Sequence, residues 1–227
     1  RFSTRIRSTL MRLLASDFML QRQRAKGRKQ REAQGLDPVI YYFHQVDDPY
    51  SFIMAQQLTR FAKISSAQIK PFLVSDPAAA FKGDATRFDD WAIADAANIA
   101  PFLGEALPMP SGADSPTRPS DTAREAAEAA LSPALEAKLS TFTAEAQRIG
   151  LALWQQDPLP APSPQQKAYA ETCVAAADKL RESLGHFQGG TLYFDGEWYW
   201  GVDRLPLLLA RLKEEGHSQA SVDDFDI

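Results

Sequence analysis

The ten residues Thr191-Leu192-Tyr193-Phe194-Asp195-Gly196-Glu197-Trp198-Tyr199-Trp200 constrain the fold of this chain more than any other stretch. Two β-favouring tetrads flank Asp-Gly, the pair that supplies the positive φ angles of a tight two-residue turn, so the spacing predicts an antiparallel hairpin. A final helix follows, with Leu205, Leu208, Leu209 and Leu212 on one face and Asp203 as its expected cap.

A hairpin alone has no core, and the partner for it lies far upstream. Val39-Ile40-Tyr41-Tyr42-Phe43 is a short apolar run after Asp37-Pro38 and reads as a buried strand. Asp48-Pro49 then opens a helix: the carboxylate caps it, and proline suits the first helical position because its missing N–H would be unpaired there. Tyr50, Ile53, Met54, Gln57, Leu58 and Phe61 continue the helical period. Ile69 to Val74 reads as a second strand, placed at an edge or bent because Pro71 cannot donate to a ladder. Strand, helix and strand make a right-handed parallel pair. The hairpin extends that sheet.

Between the two halves, Asp76 to Leu184 is rich in Ala and helical in period. Loop signals at 107–119 (LPMPSGADSPTRP) and 157–164 (DPLPAPSP) divide it into helices expected near 84–105, 120–130, 132–154 and 165–184, the first divisible around Ile99-Ala100-Pro101. The predicted organisation is a basic arm over 1–37, an α/β domain made of 38–75 and 186–227, and a helical insertion over 76–185.

Charge separates the arm from the rest. Residues 1–37 carry ten Lys/Arg against three acids, about +7, within a chain of net charge −4; the remaining 190 residues carry about −11. Arg1 to Ser16 holds no acid and spaces Phe2, Ile6, Leu10, Leu13 and Leu14 near helical period, as a presequence or membrane-surface helix does. Arg22 to Arg31 is a basic run suited to phosphate or lipid headgroups. Three readings stay open: a helical arm laid on the acidic body, a nucleic-acid or membrane contact, and an uncleaved targeting segment. An acidic partner for the arm is one expectation.

No run of about 18 apolar residues exists, so no transmembrane segment is expected. The single cysteine, Cys173, excludes an internal disulfide, a CxxC pair and a cysteine-based zinc site. It sits beside Val174, Ala175 and Ala176, where a small buried residue is expected rather than a nucleophile. Three histidines leave little for a metal centre, so none is expected. A cytoplasmic, reducing location fits this cysteine usage.

The order strand, helix, strand, helical block, hairpin, helix is the skeleton of a thioredoxin-like domain. Within it, Tyr41-Tyr42-Phe43-His44-Gln45-Val46-Asp47-Asp48-Pro49-Tyr50-Ser51-Phe52 resembles the opening strand, turn and helix of the DsbA-like group. The similarity is to the branch of 2-hydroxychromene-2-carboxylate isomerases and kappa-class glutathione transferases. Asp195 to Leu205 (DGEWYWGVDRL) resembles the closing hairpin and the Gly-x-Asp-Arg-Leu approach to the last helix, and Leu153-Trp154 a pair in the insertion. The resemblance implies a glutathione-linked isomerase or transferase acting on a small organic substrate. Glutathione is the implied cofactor, and a second copy of the chain is a candidate partner. The alternative is a catalytically degenerate binding module that works through its basic arm.

Two positions depart from the family. Its catalytic serine falls on Asp48 and its cis-proline on Gly190. A carboxylate accepts where the serine donates: at 4 Å and an effective dielectric of about 20 it repels a thiolate by about 4 kcal/mol. A glycine seldom holds a cis peptide, which without proline costs about 2.5–4 kcal/mol. The implied catalytic residues are Asp48, His44 and Tyr50, with His44 the acid/base candidate at the end of the first strand. The implied substrate- or glutathione-binding residues are Pro49, Ser51, Gly190, Thr191, Asp203 and Arg204. Against each stands a structural reading: Asp48 as an N-cap alone, Asp47 as its solvated neighbour, His44 as a satisfied core histidine, and Tyr50 and Trp200 as packing residues.

Overall fold

The computed structural model describes residues 16–220. A basic helix α1 (Asp17–Ala33) leads into strand β1 (Val39–His44), helix α2 (Pro49–Ile64) and strand β2 (Gln68–Leu73). Four helices follow: α3 (Ala85–Ile99), α4 (Asp121–Leu131), α5 (Leu139–Gln155) and α6 (Pro164–Ser183). Strands β3 (Thr191–Phe194) and β4 (Glu197–Trp200) and helix α7 (Leu205–Glu214) close the chain. The sheet order is β2-β1-β3-β4: β1 and β2 are parallel, while β3 and β4 run antiparallel.

Pro71 pairs with Tyr42 on β2, an edge strand, where a missing donor is tolerated. Asp195 (φ +38) and Gly196 (φ +87) make the hairpin turn with the expected positive angles. The helices of the middle block fall close to the expected places, with two differences. The first helix ends at Ile99 and passes through a 3-10 turn, Ala100–Leu103, because Pro101 ends the α ladder. The segment 132–154 is not one helix: Ser132–Glu136 is a 3-10 turn around Pro133, Ala137 is extended, and α5 begins at Leu139.

Alternation along β1 splits the core into two layers. Ile40 and Tyr42 face α2, α5 and α7, in a cluster with Phe52, Leu58, Phe142, Trp154, Leu192 and Leu209. Phe43 faces the other way, against Val74 and Ala177 of α6. Each large apolar side chain buried here contributes about 1.5–3 kcal/mol. The main layer is therefore the stabilising one, and it fixes α2 rigidly: Pro49, Ser51, Phe52, Ile53, Met54, Ala55, Gln57, Leu58 and Phe61 are all buried.

Helix α1 lies across the hairpin. Arg24 reaches Glu197 with two hydrogen bonds (2.8 and 3.0 Å), and Arg31 Nε donates to Asp195 Oδ2 at 2.8 Å. Between them sits Gly27, where a Cβ would collide with the Asp195 backbone, so only glycine lets helix and turn approach this closely. The stretch expected to form an amphipathic helix over 1–16 lies, apart from Ser16, outside the described residues.

Candidate functional site

The turn between β1 and α2 meets the start of β3 at the C-terminal end of the parallel pair. Asp48 caps α2 in its extended conformation: Oδ2 accepts from the Ser51 amide and the Ser51 hydroxyl, both at 2.7 Å. The Ser51 hydroxyl oxygen accepts in turn from the Gln45 amide at 3.1 Å. Gly189 and Gly190 run against this turn. A Cβ on Gly189 would stand 2.7 Å from Gln45 Cβ, and one on Gly190 only 3.1 Å from Asp48 Oδ2. Gly190 adopts φ +60, a left-handed angle that glycine takes without strain. Among the described residues no peptide bond is cis.

Asp47 is not a solvated neighbour. It is 5% exposed, accepts from Gln45 Nε2 at 3.0 Å, and receives Arg118 Nη2 at 3.0 Å. Arg118 comes from the Pro-rich loop after α3 and is the centre of the site. Its guanidinium also donates to Asp76 Oδ2 at 2.9 Å and to Asp89 of α3. Lys82 joins the same two acids, at 2.6 Å to Asp76 and 2.8 Å to Asp89. Asp76 follows β2, and its neighbour Ser75 is held by α6: the Ser75 hydroxyl donates to Asp178 Oδ2 at 2.6 Å, and its carbonyl accepts from Arg181 at 3.3 Å. Burial opposes ionisation of Asp76, but the bonds from Lys82 and Arg118 outweigh it and hold the carboxyl below the usual range. Three carboxylates and two cations thus fill the mouth. The space left between Asp48, Pro49, Asp76, Phe88, Arg118 and Gln188 is about 30 Å³, room for a water molecule or two.

The structure brings Asp48, Pro49, Ser51 and Gly190 together and leaves the other expected residues apart. His44 lies in the core, 3% exposed, with Nδ1 2.8 Å from the Tyr42 hydroxyl and its ring edge-on to Phe142. Burial pushes its imidazole down to about 3, so it is neutral at pH 7. Tyr50 turns to α3, its hydroxyl donating to Asp95 at 2.7 Å; burial and that carboxylate raise its pKa above the ordinary phenol value. Thr191 is fully buried, its hydroxyl without a protein partner. Asp203 and Arg204 are exposed on a 3-10 turn and pair with each other at 3.2 Å. Asp203 does not cap α7. That turn runs straight into the helix, and the Arg204 and Leu205 amides bond to the Gly201 and Val202 carbonyls instead. Cys173 is half-buried rather than buried.

Asp48 is the one group of this site poised near neutrality. Burial raises its carboxyl to about 6 against the pull of the Ser51 hydrogen bonds, and Asp47 adds repulsion.

No family model matches the sequence, and no curated protein sequence does. Solved structures do match. A 2-hydroxychromene-2-carboxylate isomerase superposes with a TM-score of 0.52 at 14% identity, covering 78% of this chain and 96% of that one. This chain has a DsbA-like thioredoxin fold. The cytosolic disulfide reductase DsbM from Pseudomonas aeruginosa superposes less closely, with a TM-score of 0.47 at 15% identity over 78% of this chain and 99% of that one; its structure with GSH gives the same score over 77% and 99%. In the DsbA-like fold observed here, Asp48 and Gly190 face each other at the start of the helix after the first strand.

Arg118, Lys82, Asp76 and Asp89 went unseen in the sequence. Asp76-Pro77 directly after β2 was the available signal, since loops at the C-terminal ends of parallel strands border the cleft in α/β folds. Arg118 gave none: it sits in a segment whose composition reads only as a connection.

Proposed function

We infer that this protein works by binding, through surfaces outside the cleft, and that its thiol site is a closed remnant. The observation that carries this reading is Arg118, held by Asp47, Asp76 and Asp89 across the space where a thiol ligand meets the start of α2. Ligand pockets commonly measure about 300–1,000 Å³, and the gap here is a tenth of the lower figure or less. The Asp48 carboxylate further repels a thiolate and already satisfies the helix amides that stabilise one. The basic helix α1, mounted at the opposite end of the sheet, is the working surface on this reading.

One observation favours a second reading, in which a small organic substrate displaces Arg118 and exchanges a proton with Asp48. A carboxyl near 6 suits general acid/base work close to neutral pH. Titration calorimetry with reduced glutathione separates the first reading from the glutathione-linked activity implied by the sequence resemblance. The closed cleft predicts no saturable heat; saturable binding that weakens in Asp203→Ala restores the enzyme reading.

A further inference from the structure

Helix α1 has two faces, and only one is used by the fold. Leu20, Arg24, Gly27 and Arg31, spaced i, i+4, i+7 and i+11, form the face toward the hairpin. The opposite face carries Phe18, Arg22, Lys26 and Lys29 at i, i+4, i+8 and i+11, all exposed, and Arg28 is exposed on the flank between the two faces. None of these four cations makes an ion pair among the described residues, whereas Arg24 and Arg31 are paired to Glu197 and Asp195. The close contact at Gly27 points the cationic face away from an acidic body.

From this geometry we propose that the outer face of α1 docks on an anionic membrane surface, with Arg22, Lys26 and Lys29 at the lipid headgroups and Phe18 dipping below them. The proposal rests on the binding reading above and names its partner. Charge complementarity alone suits any polyanion. Phe18 decides between them: it is 68% exposed at the N-terminal end of the cationic face, where an aromatic gains from acyl chains and nothing from a phosphate backbone. The sequence repeats the same mixture upstream, with Arg1, Arg5, Arg7 and Arg12 among Phe2, Ile6, Leu10, Leu13 and Leu14 and no acid. A bilayer surface rich in phosphatidylserine attracts each nearby Lys or Arg enough to change partitioning by about fivefold.

The test is co-sedimentation of the full 227-residue chain with vesicles of phosphatidylcholine alone and of phosphatidylcholine with phosphatidylserine. Binding is expected to the anionic vesicles only and to weaken with salt. The triple variant R22A/K26A/K29A is expected to lose about a hundredfold in partitioning, Phe18→Ser to lose several-fold, and Arg22→Lys to behave as wild type. All four positions are exposed, so circular dichroism should report an intact fold throughout. No binding to anionic vesicles, equal binding to both kinds, or unchanged binding of the triple variant overturns the proposal. Binding to a DNA duplex in place of vesicles also overturns it and makes the polyanion a nucleic acid. The vesicle assay does not involve the cleft, so glutathione titration still decides that reading if lipid binding fails.

Discussion

The two ends of the sheet each carry a cluster of charges built around one arginine, and the two arginines are not equivalent. At the hairpin end, Arg211 of α7 is 2% exposed. Its guanidinium donates to the Phe194 carbonyl at 2.7 Å, the Asp195 carbonyl at 3.1 Å, Glu197 at 3.1 Å and Glu215 at 2.9 Å, and lies over the Phe194 ring. Glu197 is shared with Arg24 of α1 and with the Tyr199 hydroxyl. Backbone carbonyls hold Arg211 in place whatever the carboxylates do. At the cleft end, Arg118 meets carboxylates alone and its side chain is 31% exposed. It is anchored by charge and not by the fold. The first cluster belongs to the architecture; the second closes a cleft and is the one that a change of solvent or of a single side chain can open.

That contrast is testable. Arg211→Ala should cost about 3–5 kcal/mol, since it leaves Glu215 and the Phe194 and Asp195 carbonyls without this donor at a buried site, although Arg24 and Tyr199 still hold Glu197, and high salt should not reproduce the loss. Arg118→Ala should cost less, roughly 2–3 kcal/mol, because water reaches this site and Lys82 still holds Asp76 and Asp89. Chemical denaturation of both variants checks the order, and an Arg118 variant as damaging as Arg211→Ala would break the distinction.

The smallest effect concerns pH. Asp48 has a folded pKa of about 6 against an ordinary 3.8, so the folded state holds the proton longer and stability from this group falls as pH rises from about 4 to 6. His44, lowered to about 3 from 6.5, does the opposite: its contribution rises with pH between about 3 and 6.5. The two slopes oppose each other between pH 4 and 6. Asp48→Asn keeps an N-cap and removes the first slope, so the variant should gain about 1–2 kcal/mol at pH 7 and show stability rising steadily through that window. Denaturation midpoints from pH 4 to 7 read this directly; identical profiles for variant and wild type would mean Asp48 is ionised throughout.

How much of this could be read beforehand follows from which interactions are local. The hairpin rests on Asp195-Gly196, the α2 start on Asp48-Pro49 and the edge position of β2 on Pro71; each states its preference within a few residues, and the sheet assembled as expected. The cleft depends on partners far apart in sequence. Arg118 lies 71 residues from Asp47 and 29 from Asp89, and a loop sequence carries no period or cap that announces such a meeting. His44 illustrates the same limit from the other side. Its position at a strand end beside two acids suggested chemistry, but strand alternation turns it inward with Tyr42, and burial keeps it neutral.

The central claim is that Arg118 closes the cleft of this DsbA-like fold to a thiol ligand. Calorimetric titration of the intact chain with reduced glutathione at pH 7 tests it most directly. The closed cleft predicts no saturable heat at millimolar ligand. Saturable binding to wild type would contradict it, and tighter binding in Asp48→Asn, which removes the repelling carboxylate, would place glutathione at the start of α2 after all.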